Sequence, residues 1–270
     1  MQKLFILLCI LMKMTVNTYI PAAVLKPFIK NYLVIESNDG AVNRVLPDTS
    51  LVMAFRYKGN VNYTDDGFET SIPVSAISGL RRSARLINYS QGAATLLVIF
   101  KEAAASVFFK VPLHELFDDS VPLYNFFGNQ KLAEIEEQLS AAKNNFERIN
   151  LIERFLFSQI KGANADKLVL AAIEKMHATK GFYKIKDLAD SLYISQDAFE
   201  KKFRKATGAS PKHFSSIIRL RNVISTGKQQ QNFTELAYNA GYFDQAHFNK
   251  DFRLFTGQTP SGFFKSPSFW

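Results

Sequence analysis

Alternation of apolar and polar residues is the first regular pattern in the chain. In LVMAFRYK (51–58), Leu51, Met53, Phe55 and Tyr57 occupy every second position, which is the period of a strand with one buried face. Further β-rich runs, separated by Gly, Asp, Asn and Ser, are 71–79, 85–90, 93–100 and 106–112. We therefore predict a small barrel or sandwich over 14–128, with a short helix in PAAVLKPFIKNY (21–32) ahead of its first strand.

A helical period replaces the alternation near Asn129. Leu132, Ile135 and Leu139 fall on one stripe of a predicted helix. A second stripe follows in 146–160, formed by Phe146, Ile149, Ile152 and either Phe155 or Leu156. Gly162 and Asn164 mark a linker, and the rest of the chain has the pattern of helices and short turns. The predicted fold class is α+β: a β-rich domain, a helical connector and an all-α C-terminal domain.

One sequence element of the C-terminal part occurs twice. FEKKFRKATGASPKHF (199–214) and FNKDFRLFTGQTPSGF (248–263) share eight identical positions without a gap, whereas ordinary residue usage gives roughly one over such a window. In each copy two Phe residues stand four apart, so both rings lie on the same side of a helix and are expected in the core. Ser195 and Asp244 are suitable N-caps, and each helix is expected to end at a Thr-Gly pair.

Each repeated helix is preceded by a shorter helical segment, IKDLADSL (185–192) or FTELAYNA (233–240), and a turn. A short helix, a turn and a capped basic helix make the helix-turn-helix pattern, whose second helix enters the DNA major groove. The segment 211–225 between the units has an apolar helical face and Pro211 in its first turn. A rigid pair of recognition helices could reach two successive major grooves, about 34 Å apart.

The two units resemble the DNA-binding domain of the AraC/XylS family of bacterial transcription regulators. The strongest similarity lies in AGYFDQAHFNKDFRLFTGQTPSGF (240–263), and LADSLYISQDAFEKKFRKATGASPKHF (188–214) also fits. More weakly, LPDTSLVMAF and PLHELFDDSVPLYNFFG resemble family N-terminal domains that bind effectors or mediate dimerisation. The resemblance implies a sensor or dimerisation domain at 14–128, a connector at 129–163 and an AraC-type domain at 164–270.

The predicted DNA-binding residues lie on the helix faces opposite the Phe pairs. Arg204 and Arg253 are expected on phosphates, and the resemblance also places Ala198 among the base-reading positions and Arg219 in the connecting helix. Lys201 and Lys250 stand where the family often has Arg, so the bidentate fork that suits guanine is absent. We expect the second helix to discriminate bases at least as strongly as the first. The full predicted set is Gln196, Asp197, Glu200, Lys201, Arg204, Gln245, Ala246, His247, Asn249, Lys250 and Arg253.

The positive charge of the C-terminal part of the chain is consistent with an anionic partner. The formal net charge is +9, and 164–270 carries 16 Lys and Arg against 9 Asp and Glu. Double-stranded DNA is the first candidate and an acidic membrane surface the second. RNA polymerase, a small-molecule effector and a second copy of the chain are further candidate partners.

The N-terminal residues 1–13 form an apolar extension that contains Cys9, the single cysteine. The run Leu4–Met12 is too short to span a bilayer, which needs about 20 helical residues. We expect translation to start at Met12 or Met14, with a secretory signal as the alternative. A protein without an intrachain disulfide fits the cytoplasm, and a membrane-tethered form is a rival hypothesis.

No pattern in the chain indicates catalysis, a metal site or a cofactor. The β-rich part contains a single histidine, His114, so the ligand set of a cupin-type metal site is missing. The sequence lacks a nucleophile elbow, a phosphate-binding loop and an HExxH motif. We predict a non-enzyme that regulates transcription. The principal rival is a ligand-binding or scaffolding module whose C-terminal helices contact other proteins.

Overall fold

The fold is that of a computed structural model, which describes residues 14–65, 67–160, 165–227, 233–242 and 244–265. The extension 1–13 with Cys9 and the linker residues Gly162 and Asn164 lie outside the described residues. The strands are β1 (Met14–Tyr19), β2 (Ile29–Ser37), β3 (Ala41–Val45), β4 (Val52–Lys58), β5 (Val61–Asp65), β6 (Phe68–Ser71), β7 (Ser75–Ser78), β8 (Arg85–Tyr89), β9 (Ala94–Phe100) and β10 (Ser120–Pro122).

These strands form two antiparallel sheets. One has the order β1-β2-β9-β4-β7-β10, and the other has the order β3-β8-β5-β6. Successive residues of the larger sheet pack on opposite faces: Val34 and Leu96 join the main core, whereas Ile35 and Leu97 join a smaller cluster with residues of the second sheet. The larger sheet is therefore covered on both faces, which confirms the predicted β-rich domain.

Helices follow the sheets along the chain. They are α1 (Asn129–Ala141), α2 (Asn145–Gln159), α3 (Lys167–Ala178), α4 (Ile185–Asp190), α5 (Gln196–Thr207), α6 (Pro211–Gly227), α7 (Phe233–Asn239), α8 (Gln245–Thr256) and α9 (Pro260–Lys265). The predicted stripe of α1 is buried, and so are Ile149, Ile152, Phe155 and Leu156 of α2. The assignment of Phe146 to the stripe is wrong: it is 70% exposed and meets the ring of Tyr19 edge-on at 5.5 Å.

Two further sequence predictions in the β-rich part are wrong. The run 106–112 contains no strand: a 3-10 helix over Ala104–Val107 ends inside it, irregular backbone follows, and a second 3-10 helix begins at Leu113 (Leu113–Leu116). Val107, Phe108 and Phe109 are all buried, so this run lacks the two-sided pattern of a strand.

The predicted helix in 21–32 is replaced by hydrogen-bonded turns that follow β1 and lead into β2. Pro27 lacks an amide hydrogen and disfavours helical backbone at Lys26, so the turns between Ala22 and Ile29 do not continue into a regular helix.

Within the described ranges, no helix combines the length and hydrophobicity needed to cross a membrane.

Candidate nucleic-acid interface

The two repeated units have the same internal packing. Phe199, Phe203 and Phe214 are fully buried in the first unit, as are Phe248, Phe252 and Phe263 in the second. The Phe203–Phe214 rings meet edge-on at 5.2 Å, and the Phe252–Phe263 rings do so at 5.1 Å, both at 87°. Such edge-to-face pairs add to the hydrophobic contribution of burial. The prediction that these rings form the core is confirmed, and the rings pack in the same way in both units.

The predicted recognition helices α5 and α8 begin and end where the sequence predicts. The Ser195 side chain accepts a hydrogen bond from the amide of Ala198 at 3.4 Å, and the Asp244 carboxylate accepts one from His247 at 2.7 Å. Both helices end at a glycine with left-handed backbone, Gly208 at φ 92° and Gly257 at φ 72°. Glycine adopts this conformation without the steric penalty of a side chain, and it ends the helix.

The predicted DNA-binding side chains lie on the outer faces of α5 and α8. All are exposed except Glu200, which is half-buried and accepts a hydrogen bond from Gln196 at 2.8 Å. No carboxylate of the described chain lies within ion-pair distance of Lys201, Arg204, Lys250 or Arg253. His247 is also exposed, with its ring edge-on to Tyr242 at 5.3 Å and Nε2 3.7 Å from Asp251. The side chains of Lys201, Arg204, Lys250 and Arg253 are therefore available to an anionic partner.

The two turns that lead into the recognition helices differ in length. In the first unit Tyr193 has left-handed backbone (φ 56°), and the N-cap Ser195 follows two residues later. In the second, Gly241 takes that conformation (φ 67°), and the N-cap Asp244 follows three residues later. Tyr193 is 98% exposed, so its ring does not stabilise the turn by packing.

The two units contact each other through the turn between α3 and α4. The ring of Phe182 lies beside Gly241, so closely that a Cβ there would be 2.0 Å from Phe182 Cε1. The Arg219 guanidinium of α6 lies 5.6 Å from the ring centroid of Tyr242, whose phenol pKa is raised to about 12 chiefly by burial. This cation–π contact and the helix α6 connect the units. The placement of the two units relative to each other is therefore supported by side-chain packing as well as by their covalent connection through α6.

Comparison with known families decides the nature of this region. Residues 188–266 match a family model described as a helix-turn-helix domain. They form an AraC-type helix-turn-helix domain. Residues 17–122 match a second model, described as a domain of unknown function (DUF6597). The resemblance inferred from the repeated motif is thus confirmed, while the family of the β-rich part carries no functional description.

The relatives are bacterial regulators by name. The Msm operon regulatory protein of Streptococcus mutans serotype c is 27% identical over 143 residues, 52% of this chain and 51% of the relative. An uncharacterized HTH-type transcriptional regulator of Escherichia coli K12, YidL, is 28% identical over 150 residues, 51% of this chain and 50% of the relative. The chain therefore spans about half the length of these curated relatives. Among solved structures, ToxT from Vibrio cholerae aligns with a TM-score of 0.43 and 13% identity, over 94% of this chain and 98% of ToxT.

The β-rich part contacts the AraC-type domain directly. The amide of Ala84 donates to the carbonyl of Phe255 at 2.9 Å, and Arg44 Nη1 donates to the carbonyl of Thr256 at 3.0 Å. Both acceptors lie in the last turn of α8, where carbonyl groups have no partner inside the helix. The last turn of the second recognition helix is thus hydrogen-bonded to β3 and to the segment before β8.

His213 of α6 lies at the centre of this contact. Its Nε2 donates to the carbonyl of Arg81 at 3.0 Å, and its ring is 5.2 Å from Phe117 and 5.6 Å from Phe255. Arg221 of α6 also pairs with Asp48, and His177 of α3 lies 2.9 Å from Glu102. No local sequence pattern indicates these contacts, because the partners are 75 to 212 residues apart.

In the described part of the chain, no cluster of three or more His, Cys, Asp or Glu has the arrangement of a metal site.

The two interdomain histidines should give opposite pH dependences of stability. Burial lowers the pKa of His213, so its neutral ring stabilises the fold above about pH 6.5 and this contribution is lost as the pH falls. The hydrogen bond to Glu102 raises the pKa of His177, although burial opposes it. Its contribution is complete below about pH 6.5 and is lost as the pH rises through the raised value.

Thermal unfolding between pH 5.5 and 8 should show both effects. Relative to wild type, His213→Gln should lose less stability on acidification, and His177→Gln should lose less on alkalinisation. The matched substitutions remove one imidazole each and leave all carboxylates in place. Equal pH profiles for the two variants would contradict the assignment.

Proposed function

We propose that this protein is a transcription regulator that reads two adjacent major-groove half-sites with α5 and α8. The observation that supports this best is the duplicated unit: two capped helices with the same aromatic core and exposed cations on their outer faces that pair with no described carboxylate. The N-terminal residues of a recognition helix contact base edges, and its cations bind phosphates. The proposed base-contacting set is Asp197, Ala198, Glu200 and Lys201 of α5 with Gln245, Ala246, His247, Asn249 and Lys250 of α8.

The proposal includes a role for the β-rich part as a sensor or dimerisation domain. Its hydrogen bonds to Phe255 and Thr256 end on the recognition helix α8, so a change in the β-rich part can alter how that helix is held. A regulator of this kind has RNA polymerase and a second copy of the chain as further partners. It carries out no catalysis, and a DNA target means that it acts in the bacterial cytoplasm.

A nuclease footprint on DNA flanking the protein's own gene tests the proposal. At about 0.15 M salt, where non-specific binding is weak, we expect two protected patches about one helical turn apart. Lys201→Ala and Lys250→Ala should each weaken protection of a different patch, with a loss of affinity of about 10- to 100-fold for a base contact.

Lys143→Ala is the matched control, because Lys143 is an exposed lysine between α1 and α2 and its loss changes the net charge equally. It should leave the footprint unchanged. Equal weakening of both patches by either recognition-helix variant would assign the lysines to phosphates rather than bases. Absence of any discrete protection would contradict the proposed function and favour contacts with other proteins.

A further inference from the structure

The side chain of His247 belongs to a connected group of side chains at the start of α8. Its ring is edge-on to Tyr242, with 5.3 Å between the ring centroids and 84° between the ring planes. Tyr242 is buried and also contacts Phe248 at 5.3 Å, and the Arg219 guanidinium lies 5.6 Å from the centroid of its ring. The imidazole of His247 therefore packs against a buried ring that other side chains hold in place.

A carboxylate faces the imidazole on the same helix. Asp251 lies one turn after His247, and its Oδ2 atom is 3.7 Å from His247 Nε2. This distance is longer than a hydrogen bond but short enough for electrostatic attraction. The carboxylate of Asp244 is used differently, because its Oδ1 atom accepts from the backbone amide of His247 at 2.7 Å and caps the helix. Asp251 is therefore the acidic group that acts on the ring nitrogen.

The position of Asp251 decides which imidazole nitrogen carries the hydrogen. An ionised carboxylate only accepts hydrogen bonds, and a neutral imidazole has one N–H group and one bare nitrogen. Because the carboxylate would repel the lone pair of a bare Nε2, the hydrogen lies on Nε2 and Nδ1 is left as an acceptor. The His247 side chain is 55% exposed, so the ring is open to a partner.

We propose that His247 reads an exocyclic amino group of a base, adenine N6 or cytosine N4, with Nδ1 as the hydrogen-bond acceptor and Asp251 as the positioning residue. In the major groove these amino groups are the only donors, whereas purine N7, guanine O6 and thymine O4 accept. His247 is the third residue of α8, in the part of a recognition helix that contacts base edges. This inference rests on the proposed function and adds the chemical group that the second half-site presents to α8.

The first unit does not repeat this arrangement. Counted from the shared Phe residues, Ala198 of α5 stands at the position of His247, and Lys202 stands at the position of Asp251. Lys202 Nζ lies 2.7 Å from Asp166 Oδ2 instead. Since an alanine side chain forms no hydrogen bond, the amino-group contact belongs to the second half-site alone.

Selection of binding sites from a random DNA pool at pH 8, where imidazole is ordinarily neutral, locates the contacted base pair. Wild type and His247→Ala are selected in parallel. We expect the variant to lose its preference at one base pair of the second half-site and to keep the first half-site, which shows that the variant is folded. If His247→Ala changes no position of the second half-site, His247 reads no base and the inference is wrong.

Base analogues at that pair identify the contacted group, with affinity measured by fluorescence anisotropy. Replacing its adenine by purine, or its cytosine by 2-pyrimidinone, removes the exocyclic amino group and should weaken wild-type binding by about 5- to 10-fold. A 7-deazapurine, which lacks the N7 acceptor, should change the affinity by less than about twofold. His247→Ala should respond to neither analogue, which controls for weaker pairing in the altered duplex. A loss with the 7-deazapurine and none with the amino deletion would show that His247 donates, and would overturn the inference.

Variants of Asp251 test its positioning role. Asp251→Asn keeps the shape but supplies an amide that can donate to Nε2, so the loss on amino deletion should fall below about twofold. Asp251→Glu keeps a carboxylate one turn from His247 and should retain the loss. Asp39→Asn, a change at an exposed aspartate between β2 and β3, is the matched control for charge and should behave as wild type. If Asp251→Asn keeps the full loss, or weakens binding to all duplexes equally, Asp251 does not position His247.

The outcomes separate this inference from the proposed function. If wild type selects no discrete sequence, the proposed function is contradicted, and the inference fails with it. If wild type selects two half-sites but the second is insensitive to His247→Ala and to the amino deletion, the inference alone fails.

Discussion

Replacing Phe252 by alanine should lower the free energy of unfolding by about 3–5 kcal/mol, the usual range for removing a buried aromatic ring. Phe252 is 1% exposed, and its ring lies within 6 Å of the rings of Phe248, Phe263 and Phe264. The cavity would lie between α8 and α9, so the second recognition helix would lose its support. Urea denaturation followed by circular dichroism at 222 nm measures the change.

Leu254→Ala is the control on the same helix. Leu254 is 53% exposed, and its truncation should cost less than about 1 kcal/mol. If Phe252→Ala costs no more than Leu254→Ala, the aromatic cluster does not support α8. The equivalent substitution in the first unit, Phe203→Ala, should have a similar cost because Phe203 is also fully buried and contacts Phe199 and Phe214 as Phe252 contacts Phe248 and Phe263.

Gly181→Ala should be nearly as damaging, lowering the free energy of unfolding by about 2–5 kcal/mol. Gly181 has φ 81°, a left-handed conformation that costs a non-glycine residue about 1–2 kcal/mol. A Cβ at this position would also lie 2.4 Å from the carbonyl oxygen of Ser215 in α6, and backbone of a central helix cannot move aside cheaply. Thermal and urea unfolding should both show the loss.

Gly67→Ala separates the two causes. Gly67 has a similar φ of 84°, but apart from its own atoms and its two chain neighbours no described atom lies within 4 Å of the point that an added Cβ would occupy, so the backbone conformation acts alone. The substitution should cost about 1–2 kcal/mol. An equal cost at both positions would show that the turn between α3 and α4 is not packed tightly against α6.

The recognition helices could be predicted from sequence because their signals are local. The caps Ser195 and Asp244, the paired Phe residues and the Thr-Gly ends all lie within about fifteen residues of one another, and each acts on the helix that contains it. The repeat made the prediction stronger, since the same signals recur at the same spacing. The DNA-contacting role of the exposed side chains remains a prediction, because it depends on a partner.

The predictions that failed depend on tertiary packing. Val107, Phe108 and Phe109 are apolar residues that suit a strand, yet all three are buried around a 3-10 turn. Phe146 fits the helical stripe of α2 by spacing, but it lies in the first turn, beyond the part of the helix that the core covers. The contacts of Arg44 and His213 join residues more than 130 positions apart, and a single sequence holds no local signal for such pairs.

If α5 and α8 read two half-sites as proposed, the unequal turns before them affect how the protein would lie on DNA. With two residues after Tyr193 in one unit and three after Gly241 in the other, the units are related by sequence but are not geometric copies. Their outer faces also carry different side chains, with acidic Asp197 and Glu200 on the first alone. A single chain bound through both units therefore has a front and a back along the double helix, and its target needs no inverted symmetry to be recognised. Under the proposed function, one molecule alone would therefore bind its target in a single direction.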